Sequence, residues 1–294
     1  MEIRGYSKRS GSCTLLKMSA KISMRAFAKV NLGLWVLGQR DDGFHEIITV
    51  LHLIKLYDEI RIEPSSALSV ECDACPGGPE NLAWKAAEAV GRRDVAIRIK
   101  KGIPVAGGLG GGSADAGAVI RALRGELPDE ELVSIAARIG SDVPFFASGW
   151  TSAIARGRGE SLSPLRSNLR AGIILFVPKD GVDTGWAYGL LRKERIYEDR
   201  AESELAAAKV VSAAERGDIA ELSRSLHNTF ERAILPIRPD LRRAKGALLT
   251  AGASAALLSG SGAVVYGIFP EGKPLAEMPD IGGRWIRTGF WRED

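Results

Sequence analysis

Pro104-Val-Ala-Gly107-Gly-Leu-Gly-Gly-Gly112-Ser-Ala-Asp-Ala116 decides how the rest of the chain is read. Ahead of it, Val95-Ala-Ile-Arg-Ile-Lys100 alternates apolar and polar residues as a half-buried strand does. Behind it, Ala116, Val119, Ile120 and Leu123 fall at i, i+3, i+4, i+7, the spacing of a helix with one buried face. Ser113 is a residue type that caps such a helix. Strand, glycine run, helix is an anion-binding order. Glycine lets backbone N–H groups approach closely, and a helix start adds free donors and a positive dipole end. A flexible turn is the alternative. Two familiar nucleotide loops do not fit. Gly112 runs into Ser113 without the lysine of a Walker loop, and a dinucleotide fingerprint begun at Gly108 meets serine at 113.

Outward from the loop, residues 26–36 are apolar and β-compatible, Arg40-Asp-Asp-Gly43 reads as a turn, and residues 48–62 resume an extended pattern. Asn81–Val90 has helical spacing. A further helix from Asp129 places Leu132, Ile135, Ala136 and Ile139 on one face and stops at Gly140. Ser163-Pro-Leu-Arg-Ser-Asn168 breaks the pattern before the apolar strand 172–177. Helices and a strand over 264–269 follow. The expected division is a flexible tail over 1–22, one domain over 23–165 and a second over 166–294.

At 294 residues, with 45% hydrophobic and 26% charged side chains, the chain has the balance of a globular protein. The net charge of +4 is local. Residues 1–21 carry Arg4, Lys8, Arg9, Lys17 and Lys21 against Glu2, which accounts for all of it. A neutral body gives little support for nucleic-acid binding. The longest apolar run, Ala171–Val177, is too short to cross a bilayer, and the N-terminal stretch lacks the apolar core of a secretory signal. A cytoplasmic protein with no membrane or nucleic-acid partner, monomeric or homodimeric, is expected. The N-terminal stretch reads as a tail, a start site ahead of Met18 or Met24, or a short targeting segment. Three cysteines make no disulfide framework, and the Cys72-x-x-Cys75 pair has no second pair to complete a zinc site. Free thiols are expected.

The glycine segment resembles the second motif of the GHMP kinases, the superfamily of galactokinase, homoserine, mevalonate and phosphomevalonate kinases. Ala28-Lys-Val-Asn-Leu32 resembles the first motif and Leu258-Ser-Gly-Ser-Gly-Ala263 the third, in the expected order. Gly43-Phe-His-Glu46, Gly140-Ser-Asp-Val-Pro-Phe145, Val182-Asp-Thr-Gly-Trp-Ala-Tyr188 and Asn228-Thr-Phe-Glu231 narrow the resemblance to the branch whose acceptor carries a cytidine diphosphate. One departure is Ser113-Ala114, where the family usually has two serines.

The resemblance implies an α+β fold of two domains, the first like a ribosomal protein and the second ferredoxin-like, with ATP and acceptor between them. It implies ATP and Mg²⁺ as cofactors, with no protein residue assigned as a metal ligand. The implied reaction is phosphorylation of the 2-hydroxyl of a cytidine-diphosphate-linked methylerythritol, a step in non-mevalonate isoprenoid precursor synthesis. Alternatives are a GHMP kinase acting on mevalonate, homoserine or a sugar, or a non-catalytic homologue that binds a ligand.

The same resemblance places Pro104, Gly107, Gly108, Leu109, Gly110, Gly111, Gly112 and Ser113 around the ATP phosphates. Asn81 and the Lys100–Lys101 pair fall near them or the adenine, although a solvated surface pair fits the lysines as well. Asp142 becomes the catalytic base; read alone, it could equally cap a helix over 143–146. Lys29 pairs with Asp142 and steers it, where its residues alone also allow an outward-facing strand position. Asn31, two residues on, shares the strand face of Lys29 and contacts the acceptor. Phe44 and Tyr188 stack on the cytosine, His45 reads its polar edge, and Thr184 lies with them. A plain loop histidine and a core tyrosine are the unremarkable alternatives. His52 and His227 are read as structural.

Overall fold

A computed structural model describes residues 20–272 and 277–292. Residues 1–19, which hold most of the basic N-terminal stretch, lie outside the described part.

The first half opens with two long strands, β1 (Ile22–Gln39) and β2 (His45–Pro64), joined by the turn expected at 40–43. Then come β3 (Ser69–Cys72), α1 (Leu82–Ala89), β4 (Val95–Lys100), α2 (Gly111–Leu123), α3 (Asp129–Ile139), α4 (Val143–Ser148), β5 (Ser152–Gly157) and β6 (Ser161–Pro164). The second half contains β7 (Ala171–Pro178), α5 (Thr184–Glu194), α6 (Arg200–Arg216), α7 (Ile219–Ser225), β8 (His227–Asn228), α8 (Phe230–Ile234), α9 (Pro239–Thr250), β9 (Ala255–Leu258), β10 (Val265–Pro270) and β11 (Gly283–Gly289).

Seven strands form the first sheet, in the order β3-β4-β2-β1-β8, with β5 and β6 extending from the early part of β2. The other sheet is antiparallel in the order β11-β7-β10-β9. Counting only this sheet's strands in chain order, that is fourth-first-third-second, the ferredoxin-like arrangement. Residues 26–36 of β1 are almost all buried, on both sides of the strand, so the run is apolar apart from Lys29 and Asn31 rather than alternating. β4 lies nearer an edge and alternates as its sequence does. The helical faces are also as spaced: Ala116, Val119, Ile120 and Leu123 of α2, with Leu132, Ile135 and Ala136 of α3, are buried.

The sheets are tied across the molecule. Tyr266 on β10 donates its hydroxyl to Asn31 O on β1 at 2.8 Å. Trp291 N donates to Leu53 O at 2.9 Å. Asn228 on β8 reaches the carbonyls of Leu258 and Gly260 at 2.8 and 2.9 Å.

Two expectations are corrected. Cys72 and Cys75 are joined as a disulfide, not left as free thiols; the turn after β3 brings their Cα atoms to 5.4 Å, within bridging range. Ser113 is not the N-cap of α2. Gly110, left-handed at φ 74°, ends the loop and its carbonyl accepts Ala114 N at 2.8 Å, so the helix starts at Gly111 and Ser113 lies in its first turn. A bulky residue cannot make that reversal without strain, and a glycine does.

Candidate active site

One cleft of about 800 Å³ runs between the glycine loop, β1 and α5. Pro104, Gly107 to Ser113 and Asn81 line it on the loop side, and Phe44, His45 and Tyr188 line it beside α5, with Thr184, Lys29, Asn31 and Asp142 also on its wall.

At the nucleotide-loop end, two glycine-rich segments meet backbone to backbone. Gly108 has φ +75°, and a Cβ there would fall 2.1 Å from Ser259 O. A Cβ on Gly262 would fall 2.3 Å from Gly108 N. Gly108 O accepts Ser259 Oγ at 3.0 Å and Lys29 Nζ at 2.9 Å. The third motif is therefore a buttress: it holds the curvature that leaves the start of α2 facing the cleft.

β1 positions the central pair through two bulges. Its register against β2 slips between Phe27 and Lys29 and again between Asn31 and Gly33, so Lys29 and Asn31 sit on the short stretch between. A bulge re-aims a side chain from the sheet. Both residues are 3% exposed, which excludes the outward-facing alternative for Lys29. Lys29 Nζ donates to Asn31 Oδ1 at 2.7 Å and lies 3.6 Å from Asp142 Oδ2. Asn31 Nδ2 donates to Thr49 Oγ1 at 2.8 Å, and that hydroxyl donates to Gly33 O at 2.7 Å. The amide orientation of Asn31 is thus fixed by partners on both sides.

Asp142 occupies the position before α4 but its side chain makes no capping hydrogen bond. Its side chain is 37% exposed to the cleft while Lys29 is nearly enclosed. A carboxylate with one fixed cation on one side and open space on the other can accept a proton from a bound hydroxyl.

Lys101 is a finding the sequence left open. It is enclosed, with its ammonium paired to Asp58 and, at 2.9 Å, to Asp115 on α2. Asp58 also accepts Gly102 N at 2.7 Å and Ile103 N at 2.8 Å. Burial lowers the pKa of Lys101, but the two carboxylates outweigh it and the net direction is upward. Burial pushes Asp115 up to about 7 against the pull of Lys101. The cluster pins the first turns of α2 to β2. Lys100, by contrast, is an exposed neighbour of Glu59 at 3.7 Å.

Asn81 lines the cleft with its amide engaged locally. Its Oδ1 accepts Ala83 N at 2.9 Å as the cap of α1, and its Nδ2 donates to Pro76 O at 2.8 Å. The Cys72–Cys75 bridge adjoins it, with Cys75 and Pro76 on the same wall.

At the far end, His45 and Tyr188 stack with centroids 4.5 Å apart, and Tyr188 meets the edge of Phe230 at 4.9 Å. His45 Nε2 is buried and has no hydrogen-bond partner. Burial first, then the charge of Arg192, lower the His45 pKa, so the ring is neutral and offers an acceptor or a donor to a ligand. Burial raises the Tyr188 pKa and Asp142 adds to it, so its hydroxyl stays protonated. Phe44 stands under the guanidinium of Arg158, 4.6 Å from the ring centre, with one half of its surface exposed. Tyr188 has turned one face to His45, and the structure does not set Phe44 against it as a closed pair. Thr184 accepts Ser261 Oγ at 3.1 Å, linking the third motif to α5.

Arg158, Arg192 and Ser261 line the cleft and were not singled out as site residues from sequence, whereas Lys101, one of the pair expected near the phosphates or adenine, lines it too. For Arg192 a signal existed: Thr184, Tyr188 and Arg192 are spaced i, i+4, i+8, one face of a helix. His52 and His227 are structural, as expected. His52 is enclosed between Leu53 O and Ser167 Oγ, and His227 bonds Glu198 and stacks on Trp35.

Comparison with known proteins agrees with this architecture. Residues 81–150 match the GHMP kinases N terminal domain and residues 210–280 the GHMP kinases C terminal domain. The 4-diphosphocytidyl-2-C-methyl-D-erythritol kinase of Pelotomaculum thermopropionicum is 39% identical over 281 residues, covering 91% of this chain and 94% of that one. Its counterpart from Synechococcus sp. (strain JA-2-3B'a(2-13)) is 40% identical over 298 residues, covering 95% and 93%. A crystal structure of 4-(cytidine 5'-diphospho)-2C-methyl-D-erythritol kinase superposes with a TM-score of 0.73 at 34% identity, over 92% of this chain and all of that one. The chain belongs to the 4-diphosphocytidyl-2-C-methyl-D-erythritol kinase family of GHMP kinases.

Proposed function

We propose that this protein transfers the γ-phosphoryl group of ATP to the 2-hydroxyl of 4-diphosphocytidyl-2-C-methyl-D-erythritol. The observation that carries the reading is the Lys29–Asp142 pair, 3.6 Å apart, in one cleft with a glycine loop and an aromatic recess. The start of α2 and residues 107–112 receive the ATP phosphates through backbone N–H groups. Asp142 accepts the proton of the acceptor hydroxyl as the oxygen bonds to phosphorus and the bond to ADP breaks. Lys29 holds Asp142 in place and offsets negative charge beside the transferring group. Asn31 orients Lys29 and faces the acceptor.

Mg²⁺ fits this site as an ion carried in on the phosphates. Among the described residues no cluster of three or more His, Cys, Asp or Glu could hold a metal. Asp142 and Ser113 line the cleft with hard oxygen donors of the kind magnesium takes alongside phosphate oxygens and water. When bound, the ion offsets charge on the phosphates.

The base end favours a cytidine acceptor over mevalonate, homoserine or a sugar. Those acceptors have no planar aromatic base to stack on Tyr188 and no amide-like edge to satisfy His45 Nε2. We also keep a division near residue 165, supported by a second sheet built entirely from later residues. ADP release measured with ATP and each acceptor in turn tests the reading. Turnover with the cytidine substrate and none with mevalonate or homoserine is expected; the reverse order overturns it.

A further inference from the structure

Four cationic side chains line the cleft: Lys29, Lys101, Arg158 and Arg192. Two of them are already matched. Lys29 lies between Asp142, Asn31 Oδ1 and Gly108 O, and Lys101 lies between Asp58 and Asp115. The other two are less so. Arg158 is only loosely paired, its Nε 3.8 Å from Glu160 Oε1, while Glu160 Oε2 accepts the Arg158 backbone N–H and the guanidinium lies over Phe44. Arg192 makes no ion pair within 4.0 Å among the described residues, and its charge is felt by His45. Both line the half of the cleft that holds His45 and Tyr188.

Their placement is specific. Arg192 follows Tyr188 by one helical turn on α5, so the two project from the same face. Arg158 sits in the tight turn between β5 and β6. At the next residue, Gly159, a Cβ would fall 3.3 Å from Ser141 O, so this turn abuts the residue before Asp142. Arg158 thus bridges from Phe44 at the base end toward the segment that carries Asp142. An acceptor lying along this path presents its base first, its diphosphate next and its hydroxyl last.

Resting on the proposed acceptor, we propose that Arg158 and Arg192 form the subsite for its diphosphate, and so select nucleoside diphosphates over uncharged nucleosides. Guanidinium suits the task because its planar fork gives paired N–H donors to phosphate oxygens. Stacking on Phe44 fixes the plane of Arg158 before the ligand arrives. The donor nucleotide's phosphates meet backbone N–H groups at the other end, so the two anionic ligands are received by different chemistry.

Binding of cytidine 5'-diphosphate, cytidine and ATP to the full chain separates the possibilities. Charge-assisted contacts from two arginines should make the diphosphate bind roughly a hundredfold tighter than cytidine. Arg158→Gln with Arg192→Gln should bring that advantage below about threefold, leaving cytidine and ATP unchanged. Arg158→Lys with Arg192→Lys should restore part of it, which a general loss of fold would not allow. If the diphosphate advantage survives in the glutamine variant, the subsite assignment is wrong and the proposed reaction stands. A fall in ATP affinity with the diphosphate unaffected also overturns it, assigning the arginines to the donor. Failure of wild-type protein to bind either cytidine compound removes the acceptor reading itself, and this inference with it.

Discussion

Lys29 Nζ lies 3.6 Å from Asp142 Oδ2, bringing a buried cation on a bulged strand to a carboxylate left open to the cleft. The asymmetry matters. Lys29 spends its other donors on Asn31 and Gly108 O, so its position is set whether or not a ligand is present. Lys29→Met keeps the length and apolar stem but removes all three contacts. The expected result is a fall in kcat of about 10²-fold or more, with acceptor affinity changed far less. Rate and affinity measured separately check this; a variant that loses only affinity contradicts it.

The phosphate-binding role of the loop is open to a substitution that leaves the loop's conformation alone. A Cβ on Gly112 would meet nothing closer than Leu82 Cδ1 at 3.6 Å, an ordinary contact, yet Gly112 lines the cleft. Gly112→Ala should fold normally and weaken ATP binding by roughly tenfold, because a methyl group stands where phosphate approaches the backbone. Gly108→Ala, forced against Ser259 O at φ +75°, should instead lower stability. Calorimetric titration with ATP beside thermal melts distinguishes the two variants, and equal ATP affinity in Gly112→Ala would contradict the loop's assignment.

Tyr188 should act through its ring. Stacking on a base contributes ~1–3 kcal/mol, so Tyr188→Ala should weaken the cytidine acceptor by roughly tenfold to a hundredfold and leave ATP binding alone. Tyr188→Phe should cost far less. Loss of both ligands together in the alanine variant would point to collapse of the recess instead, since Tyr188 also supports His45 and Phe230.

His52 makes stability depend on pH. Leu53 O can only accept, so Nδ1 donates to it at 2.7 Å and Nε2 accepts from Ser167 Oγ at 2.9 Å, which defines a neutral ring. Burial brings its pKa from 6.5 down to about 4 in the folded protein. Between these values the unfolded chain binds the extra proton, so stability falls as pH drops from about 6.5 toward 4. The shift corresponds to ~3 kcal/mol lost across that window. Urea unfolding at pH 7.5 and 5 should show the decline in wild type and a shallower one in His52→Gln. Parallel pH slopes in the two proteins would remove His52 as the cause.

How much of this was legible follows from the kind of signal each residue leaves. The glycine loop, Lys29 in its apolar run and Asp142 stand in contiguous motifs, and the structure brings all three to one cleft. Periodicity likewise located the buried faces of α2 and α3. Ser113 was misread as a cap because residue type alone cannot show that Gly110 has already turned left-handed. The Cys72–Cys75 bridge depends on the curvature of one short turn, which spacing does not encode. Lys101 is tied to Asp58 and Asp115, 43 and 14 residues away, so its burial is a product of tertiary packing. Arg158 is a half-buried charge in a chain full of charges, and only the folded cleft sets it apart; exposed Arg192 left a fainter signal in its helical spacing from Thr184 and Tyr188.

Replacing the carboxylate that receives the proton tests the chemistry most directly. Asp142→Asn retains size and neighbours but cannot take a proton, and a positioned base commonly contributes ~10²–10⁴ in rate. Single-turnover phosphorylation of 4-diphosphocytidyl-2-C-methyl-D-erythritol, with the dissociation constants of ATP and acceptor measured on the same protein, should show a loss of that size with both affinities largely intact. A variant that keeps more than roughly a tenth of the wild-type rate contradicts the assignment of Asp142 as the base.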